Sequence, residues 1–199
     1  MNIGIIDLGI NNIKSVKDFF SLFGKTYILS NDSDLKVNTK LVVLPGNGSF
    51  NSGIESLKRN KLDILLSKIY KDGTLIIGIC LGMQILFEKS EENFGKQGLN
   101  FIEGSVRKIQ SSNCRLPLLG WYQVQSNINE LNDKTFFFNN GFSCFPKKEI
   151  LIKSSLNLGD YKVIASVKKE NLIGLQFHPE KSSSNGLHLV KSLLEESNV

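Results

Sequence analysis

The sequence predicts an α/β fold: a mainly parallel central sheet flanked by helices, with additional short strands in the C-terminal half. In residues 1–88, short apolar runs alternate with segments whose apolar side chains recur at helical spacing, the pattern of βαβ units. After residue 88, short strand-like runs follow one another with little helix between them. With 199 residues and a hydrophobic content of 41%, we expect a single domain covering residues 1–199.

The first half is expected to supply three strands and two helices before residue 74. The predicted strands cover residues 3–6, 26–29 and 40–44, and the predicted helices cover residues 11–23 and 52–70. Residues 31–38 read as a polar loop. The third strand runs into PGNGSF, residues 45–50. Because loops that follow parallel strands gather at the carboxyl edge of a sheet, this loop is expected at a ligand-binding position.

The stretch from residue 74 to 92, TLIIGICLGMQILFEKSEE, predicts a strand that turns into a helix at Cys80. Gly78 and Gly82 flank the cysteine, which is the cysteine form of the G-x-S-x-G nucleophile elbow. Such a corner is expected to push the sulfur out above the end of the sheet, near the positive potential of a helix N-terminus. The backbone N–H of Leu81 would point to the place where an oxyanion develops. The alternative is a buried core cysteine.

A second motif, GLQFHPEKS at residues 174–182, offers a base for this nucleophile. In an extended backbone, residues i and i+2 face the same way, so Glu180 is expected to hold one nitrogen of His178 while the other faces Cys80. Pro179 restricts the backbone between them. A lone histidine is usually structural, but the cysteine elbow elsewhere in the chain favours a catalytic role.

The remaining chain is expected to contain six short strands and a closing helix. The predicted strands cover residues 101–106, 121–124, 135–138, 150–152, 161–167 and 172–177, and the helix covers residues 187–194.

GICLGMQ and GLQFHPEKS together resemble the class I (triad) glutamine amidotransferases. Within that class, the resemblance is to the glutaminase subunits of imidazole glycerol phosphate synthase, and it extends along nearly the whole chain. It also includes IGIIDLGINNIKSV, PGNGSF, CLGMQILFEKSEE, LNFIEGSV, LGWYQV and HPEKSS. The resemblance implies that Cys80, His178 and Glu180 hydrolyse L-glutamine to glutamate and ammonia without a cofactor. It also implies a heterodimer in which a synthase or cyclase subunit with a (β/α)₈-barrel fold receives the ammonia.

The resemblance also implies roles for residues around the triad. The N–H groups of Asn47 and Leu81 would form the oxyanion hole, and Gly48, Gln84 and Glu92 would bind the substrate. The alternative for the PGNGSF loop is an ordinary glycine turn. The alternatives for Gln84 and Glu92 are a surface helical residue and an ordinary surface carboxylate.

The partner is expected to cover the carboxyl edge of the sheet, where ammonia is released. Asn11 and Asn12 follow the first strand at that edge, and Lys181 directly follows Glu180. Trp121 offers a large aromatic side chain of the kind enriched in interface hot spots. The alternative for Trp121 is a core tryptophan.

Two stretches differ from the sequences typical of these glutaminase subunits. FNNGF at residues 138–142, which contains Asn139, Asn140 and Gly141, stands where they carry His-Ser-Tyr. PLLGWY at residues 117–122 lacks their histidine, at Leu118, and their asparagine. The open alternatives are a subunit that feeds ammonia to a sugar-modifying synthase for surface polysaccharide, a non-catalytic regulatory subunit, and a cysteine peptidase or stand-alone amidase.

Composition limits the other classes of function. The net charge of +5 is carried mainly by scattered lysines, which indicates a solvated surface rather than a nucleic-acid-binding face; a phosphate-bearing partner is the alternative. The three cysteines, Cys80, Cys114 and Cys144, lack C-x-x-C spacing, so we expect a reducing cytoplasm, no disulfide framework and no metal site. We expect no signal peptide and no membrane span.

Overall fold

The computed structural model describes residues 1–10, 13–92 and 96–199 of the chain. Its helices are α1 (Ile13–Phe20), α2 (Phe50–Arg59), α3 (Leu62–Lys71), α4 (Leu81–Ile85) and α5 (Ser183–Glu196). Its strands are β1 (Asn2–Ile6), β2 (Lys25–Leu29), β3 (Thr39–Gly46), β4 (Leu75–Cys80), β5 (Phe87–Ser90), β6 (Ile102–Lys108), β7 (Leu118–Gln123), β8 (Gln125–Ser126), β9 (Thr135–Asn140), β10 (Phe142–Pro146), β11 (Ile152–Asn157), β12 (Lys162–Lys169) and β13 (Leu172–Leu175).

One large sheet organises the fold, with strand order β2-β1-β3-β4-β13-β12-β11-β8. Neighbouring strands pair in parallel in the part formed by β2, β1, β3, β4 and β13. Strands β12, β11 and β8 then extend the sheet by antiparallel pairing. A three-stranded sheet, β10-β6-β5, and a two-stranded ribbon, β7-β9, lie outside it. The prediction of an α/β fold with a mainly parallel sheet and extra C-terminal strands is therefore confirmed.

Apolar side chains alternate between the two faces of this sheet, as β3 illustrates. Leu41 and Val43 join a cluster with side chains of α1 and α5, whereas Val42 and Leu44 join one with side chains of α2 and α3. All four are fully buried. Since burial of each such side chain contributes about 1.5–3 kcal/mol, helices on both faces are needed to stabilise the sheet. No helix of the described residues has the length and apolar character that crossing a membrane requires.

The single helix predicted for residues 52–70 is wrong, because the chain forms two helices there. Lys61 adopts a left-handed conformation, with φ of 56°, between α2 and α3. The buried side chains Leu57 and Leu62 are five positions apart, whereas a continuous apolar stripe needs steps of three or four. The break allows both leucines to face the sheet.

Other predicted bounds also shift. The helix predicted for residues 11–23 ends at Phe20, and residues 11 and 12 lie outside the described residues. The helix after Cys80 has only five residues, because Phe101 N and Ile102 N both donate to Leu86 O and the chain enters β5. Residues 149–151 form a 3₁₀ turn rather than the beginning of a strand, and the strand follows as β11.

Candidate active site

Cys80 lies at a strained corner between β4 and α4. Its backbone has φ of 54° and ψ of −110°, a sparsely populated region that costs about 1–3 kcal/mol. The corner requires small neighbours: a Cβ atom on Gly82 would lie 1.7 Å from Leu44 O, and one on Gly78 would lie 2.8 Å from Gly82 O. The glycines therefore let α4 pack directly against β3 and β4, as the elbow motif predicts.

His178 and Glu180 form a buried pair beside this corner. The Nδ1 atom of His178 lies 2.8 Å from Oε1 of Glu180, and the two side chains are 5% and 4% exposed. The contact itself was predicted, but the extended backbone that was expected to produce it is not found. Strand β13 ends at Leu175, and residues Pro179–Lys181 form a 3₁₀ turn that brings the carboxylate back to the imidazole.

The charge of the imidazole is set by its neighbours. Burial lowers the pKa of His178, but hydrogen-bonding and Coulombic interactions with Cys80 and Glu180 outweigh it and raise the pKa from 6.5 to about 10. Nε2 of His178 is buried and lies on the Cys80 side of the ring. The imidazole is therefore placed to exchange a proton with a group that binds at the sulfur.

The sulfur itself has two further polar neighbours. Cys80 Sγ lies 3.6 Å from the carbonyl oxygen of Asn139, and Nε2 of Gln176 approaches the sulfur to 3.9 Å. Gln176 is fully buried, and no role was predicted for it. Its position in the sequence carried a signal, because a glutamine two residues before a catalytic histidine on an extended segment faces the same side.

The other two cysteines lack such surroundings. Burial, and then the nearby Cys80, raise the pKa of Cys144 well above its ordinary value. Cys114 is partly buried, and its sulfur lies 3.8 Å from the hydroxyl of Ser111. Since the thiolate is the nucleophile, the geometry favours Cys80 alone.

The loop predicted to supply the second oxyanion donor lies against the nucleophile. Gly46 pairs with Cys80 in the β3–β4 ladder, so Asn47 is the next residue beyond the end of the sheet. Gly48 has φ of 129°, a conformation that favours glycine. Leu81 is the first residue of α4, where helix geometry leaves the N–H without an intrahelical acceptor.

The side chains predicted to bind substrate surround the same elbow. Gln84 is 6% exposed, so it is not a surface helical residue, and its Nε2 donates to Oε1 of Gln176 at 3.2 Å and to Phe142 O at 3.4 Å. Glu92 is half-buried, and its Oε2 accepts from the N–H of Phe50 at 2.8 Å, at the start of α2. Gly48 lies two residues before that N–H.

Strand β9 holds the histidine in register with the cysteine. The N–H of His178 donates to Phe137 O at 2.8 Å, the hydroxyl of Ser182 donates to His178 O at 2.6 Å, and Phe137 N donates to the same hydroxyl at 3.0 Å. Two residues further along β9 is Asn139, whose carbonyl contacts the sulfur. One strand thus touches both reactive side chains.

The outer side of the β7–β9 ribbon carries an apolar strip, defined here as Leu119, Trp121 and Phe137. Leu119 is 66% and Trp121 51% exposed, so Trp121 is not a core tryptophan. The ring of Trp121 meets Phe137 edge to face at 6.0 Å, and Nζ of Lys181 lies 5.5 Å from the centre of the Phe137 ring. The strip therefore begins beside His178 and reaches the surface. Asn11 and Asn12, the other predicted partner contacts, lie outside the described residues.

The cavity at the triad is small. It measures about 20 Å³, and its lining includes Gly46, Asn47, His178, Glu180 and Lys181. This volume is about that of one water molecule. A cavity of about 520 Å³ lies at the opposite edge, where β3 and β4 begin, and contains neither the cysteine nor the histidine.

The chain is similar to known proteins along nearly its whole length. The model of the glutamine amidotransferase class-I family matches residues 5–195. A protein of Pyrococcus furiosus named imidazole glycerol phosphate synthase subunit HisH is 39% identical over 196 residues, covering 96% of each chain. A protein of Lactococcus lactis with the same name is 35% identical over 199 residues, covering 96% of this chain and 97% of its own.

Solved structures resemble the fold at lower identity. A crystal structure described as a glutamine amidotransferase has a TM-score of 0.77 at 18% identity and covers 99% of both chains. A crystal structure of a glutamine amidotransferase from Thermotoga maritima has a TM-score of 0.61 at 18% identity, covering 100% of this chain and 86% of its own.

Proposed function

This chain belongs to the class-I glutamine amidotransferase family, and from that premise we propose that it is the glutaminase subunit of an imidazole glycerol phosphate synthase, in histidine biosynthesis. The observation that carries the chemistry is the buried His178–Glu180 pair facing Cys80 at its strained corner. The curated relatives that bear the synthase name span nearly the whole chain at 34–39% identity, and they support the pathway.

The proposed reaction uses these residues in two halves. The sulfur of Cys80 attacks the carboxamide carbon of glutamine, and the N–H groups of Asn47 and Leu81 bind the oxyanion that forms. His178 gives its proton to the nitrogen, the C–N bond breaks, and ammonia leaves behind a glutamyl thioester. His178 then takes a proton from water, the hydroxide attacks the thioester, and glutamate departs as the sulfur is restored. Glu180 holds the imidazole in position throughout.

The residue types that differ from the family's typical sequence leave this machinery in place. Asn139 contributes its backbone carbonyl to the sulfur, a contact that any residue type can supply. Leu118 is fully buried and packs as an apolar side chain in the hydrophobic core. Because the triad contacts remain despite these departures, we infer a catalytic subunit rather than a degenerate one.

A partner subunit completes the proposed enzyme. We propose that residues 1–199 act as a single cytoplasmic glutaminase domain in a heterodimer with a (β/α)₈-barrel cyclase. Ammonia released at the carboxyl edge of the parallel strands would be lost to solvent unless a partner covered that edge. The apolar strip and Lys181 lie there, beside His178.

Replacement of the nucleophile tests the proposal. In the complex with the cyclase subunit of the same organism, Cys80→Ala should abolish glutamine-dependent synthesis and retain ammonia-dependent synthesis, because the change removes only the sulfur. Cys114→Ala is the matched control and should retain both activities. Persistent glutamine hydrolysis by the Cys80→Ala variant would disprove the triad. A wild-type chain that hydrolyses glutamine yet supports no synthesis with the cyclase would disprove the pathway.

A further inference from the structure

Gln176 is a fully buried carboxamide beside the nucleophile. Its backbone N–H donates to Ala165 O at 2.8 Å, which holds it against β12 just beyond the end of β13. Its Nε2 lies 3.9 Å from Cys80 Sγ. Burial of a carboxamide costs free energy unless its polar atoms find partners, so the contacts of Gln176 indicate what it does there.

The neighbours of Gln176 fix which end of its amide faces the sulfur. A backbone carbonyl can only accept a hydrogen bond, so Gln84 must turn its NH₂ group toward Phe142 O, which lies 3.4 Å away. The same NH₂ group can only donate, and it lies 3.2 Å from Oε1 of Gln176, so that oxygen must face it. The NH₂ group of Gln176 is then the end that remains for Cys80 Sγ.

The sulfur of Cys80 therefore lies between two groups that favour opposite protonation states. The carbonyl oxygen of Asn139, 3.6 Å away, can accept a hydrogen bond from a thiol but repels the electron pairs of a thiolate. An N–H group has the opposite preference, because a hydrogen bond to a charged acceptor is roughly twice as strong as one to a neutral acceptor. The amide of Gln176 thus compensates for the carbonyl of Asn139.

We propose that Gln176 is a positioning residue that stabilises the thiolate of Cys80 through an N–H···S hydrogen bond; this inference rests on the proposed glutaminase function, in which that thiolate reacts. The thiolate takes part twice: it attacks the carboxamide carbon, and it leaves when water breaks the C–S bond of the thioester. A buried donor beside the sulfur assists both steps. One hydrogen bond of this kind changes the thiolate population about tenfold.

Alkylation of Cys80 tests this bond in the absence of glutamine. Iodoacetamide reacts with thiolates, and mass spectrometry of the peptide that carries Cys80 separates its reaction from those of Cys114 and Cys144. Gln176→Met has a side chain of similar length without an N–H group. We expect its alkylation profile to lie about one pH unit above that of the wild type, because the thiolate population at a given pH falls about tenfold.

Glutamine hydrolysis provides a second measurement. With the cyclase subunit present, Gln176→Met should lower kcat about tenfold and leave KM near the wild-type value, because the bond is made to the nucleophile. The titratable groups His178, Glu180 and Cys144 are unchanged in this variant. A moved alkylation profile therefore reports the loss of the amide.

Two further variants separate this role from a structural one. Gln176→Glu keeps the shape of the side chain and an oxygen for Gln84. Since a carboxyl group loses its proton before a thiol does, the sulfur would face a carboxylate, and the profile should lie at least as high as that of Gln176→Met. Asn171→Leu is the matched structural control: the amide of Asn171 donates to Tyr70 O and Thr74 O at the far edge of the sheet, so its loss should lower stability without moving the profile.

An alkylation profile that stays at the wild-type position in Gln176→Met would overturn the inference, and so would an equal movement in Asn171→Leu, which would indicate a general effect of lost stability. If Gln176→Met does not fold, Gln176→Glu decides: a profile moved to higher pH supports the hydrogen bond, and an unmoved profile refutes it. These results do not depend on glutamine. A wild type that fails to hydrolyse glutamine with the cyclase present would refute the proposed function and leave the alkylation result standing.

Discussion

Ser182 is used in an unexpected way for a serine at the start of a helix. A serine at the N-cap usually accepts a hydrogen bond from the first turn, but Ser182, which precedes α5, makes no such bond. Its hydroxyl instead joins the carbonyl of His178 to the N–H of Phe137. Helix α5 therefore begins without a side-chain cap, and the backbone of His178, the proposed base, is held in place by Ser182.

We therefore expect Ser182→Ala to act on turnover more than on substrate binding. The change removes the hydroxyl and leaves Phe137 N–H unsatisfied, at a cost of about 1–3 kcal/mol. Steady-state kinetics should show kcat lowered about tenfold with KM nearly unchanged, because His178 shifts relative to Cys80. Ser182→Thr keeps the hydroxyl and should recover part of the loss.

Ser154→Ala is the matched control for Ser182. Ser154 is also buried, and its hydroxyl bonds that of Ser166 in the antiparallel part of the large sheet. Its replacement should lower the free energy of unfolding without lowering kcat. A Ser182→Ala enzyme that loses stability but keeps its wild-type kcat would assign Ser182 a structural role alone.

At the scale of elements, the sequence predicted the parallel strands well because each contains a short run of mostly apolar residues. It predicted α2 and α3 as one helix. The polar residues between them are compatible with a helix, and the spacing of the apolar residues on either side differs from helical spacing by only one position. It missed β10, Phe142–Pro146. That strand pairs with β6 through backbone contacts of long sequence separation, which local patterns do not encode.

In the candidate site, too, local sequence patterns were informative and contacts between distant residues were not predicted. The placement of Cys80, His178 and Glu180 beside one another was predictable because each lies in a short motif whose geometry is known. Gln176 and Ser182 were not predicted, because their roles depend on contacts with Cys80 and β9, which lie far away in the sequence. Sequence motifs therefore indicate candidate reactive groups, whereas the fold is needed to identify the residues that position them.

The β7–β9 ribbon leads to a prediction about assembly. Lys181→Glu places a negative charge against the Phe137 ring at the proposed interface, so affinity for the cyclase subunit should fall about tenfold or more in a titration. Glutamine-dependent synthesis should fall with it, while ammonia-dependent synthesis at saturating ammonia and cyclase should remain. Trp121→Ala should weaken binding similarly, because an exposed tryptophan that becomes buried in an interface is a frequent hot spot.

Lys71→Glu provides the charge control. Lys71 is exposed at the end of α3, on the side of the molecule where β4 begins. Its reversal changes net charge by the same amount as Lys181→Glu, and affinity should remain near the wild-type value. Unchanged affinity in Lys181→Glu would place the docking face elsewhere, whereas equal weakening in both variants would indicate a nonspecific charge effect.

At the scale of the whole molecule, the cavity of about 20 Å³ beside His178, Glu180 and Lys181 lies at the carboxyl edge that the proposed partner would cover. The loop at Asn47, next to Gly46 and Gly48, lies on one wall of this cavity, and its peptide groups can reorient because glycine is conformationally permissive. A partner bound over the carboxyl edge, as proposed, would contact that same wall.

We therefore expect weak glutaminase activity from the isolated chain and strong activity when the cyclase subunit is added together with its own substrate. If Asn47 N–H enters the oxyanion hole only in the complex, the stimulation should reach about 10²–10³-fold, the usual effect of one oxyanion donor. Ammonia release, measured with and without the partner, provides the test. Equal turnover under both conditions would show that the site is already competent alone.

The apolar strip has one more consequence, which concerns the life of the chain before it meets a partner. Molecules made in excess would display Leu119 and Trp121 to water, and a second copy of the chain presents the same surface. Unassembled molecules would then compete with the proper partner for one another, and the excess would be lost to self-association. Balanced synthesis of the two subunits would keep that surface occupied from the start.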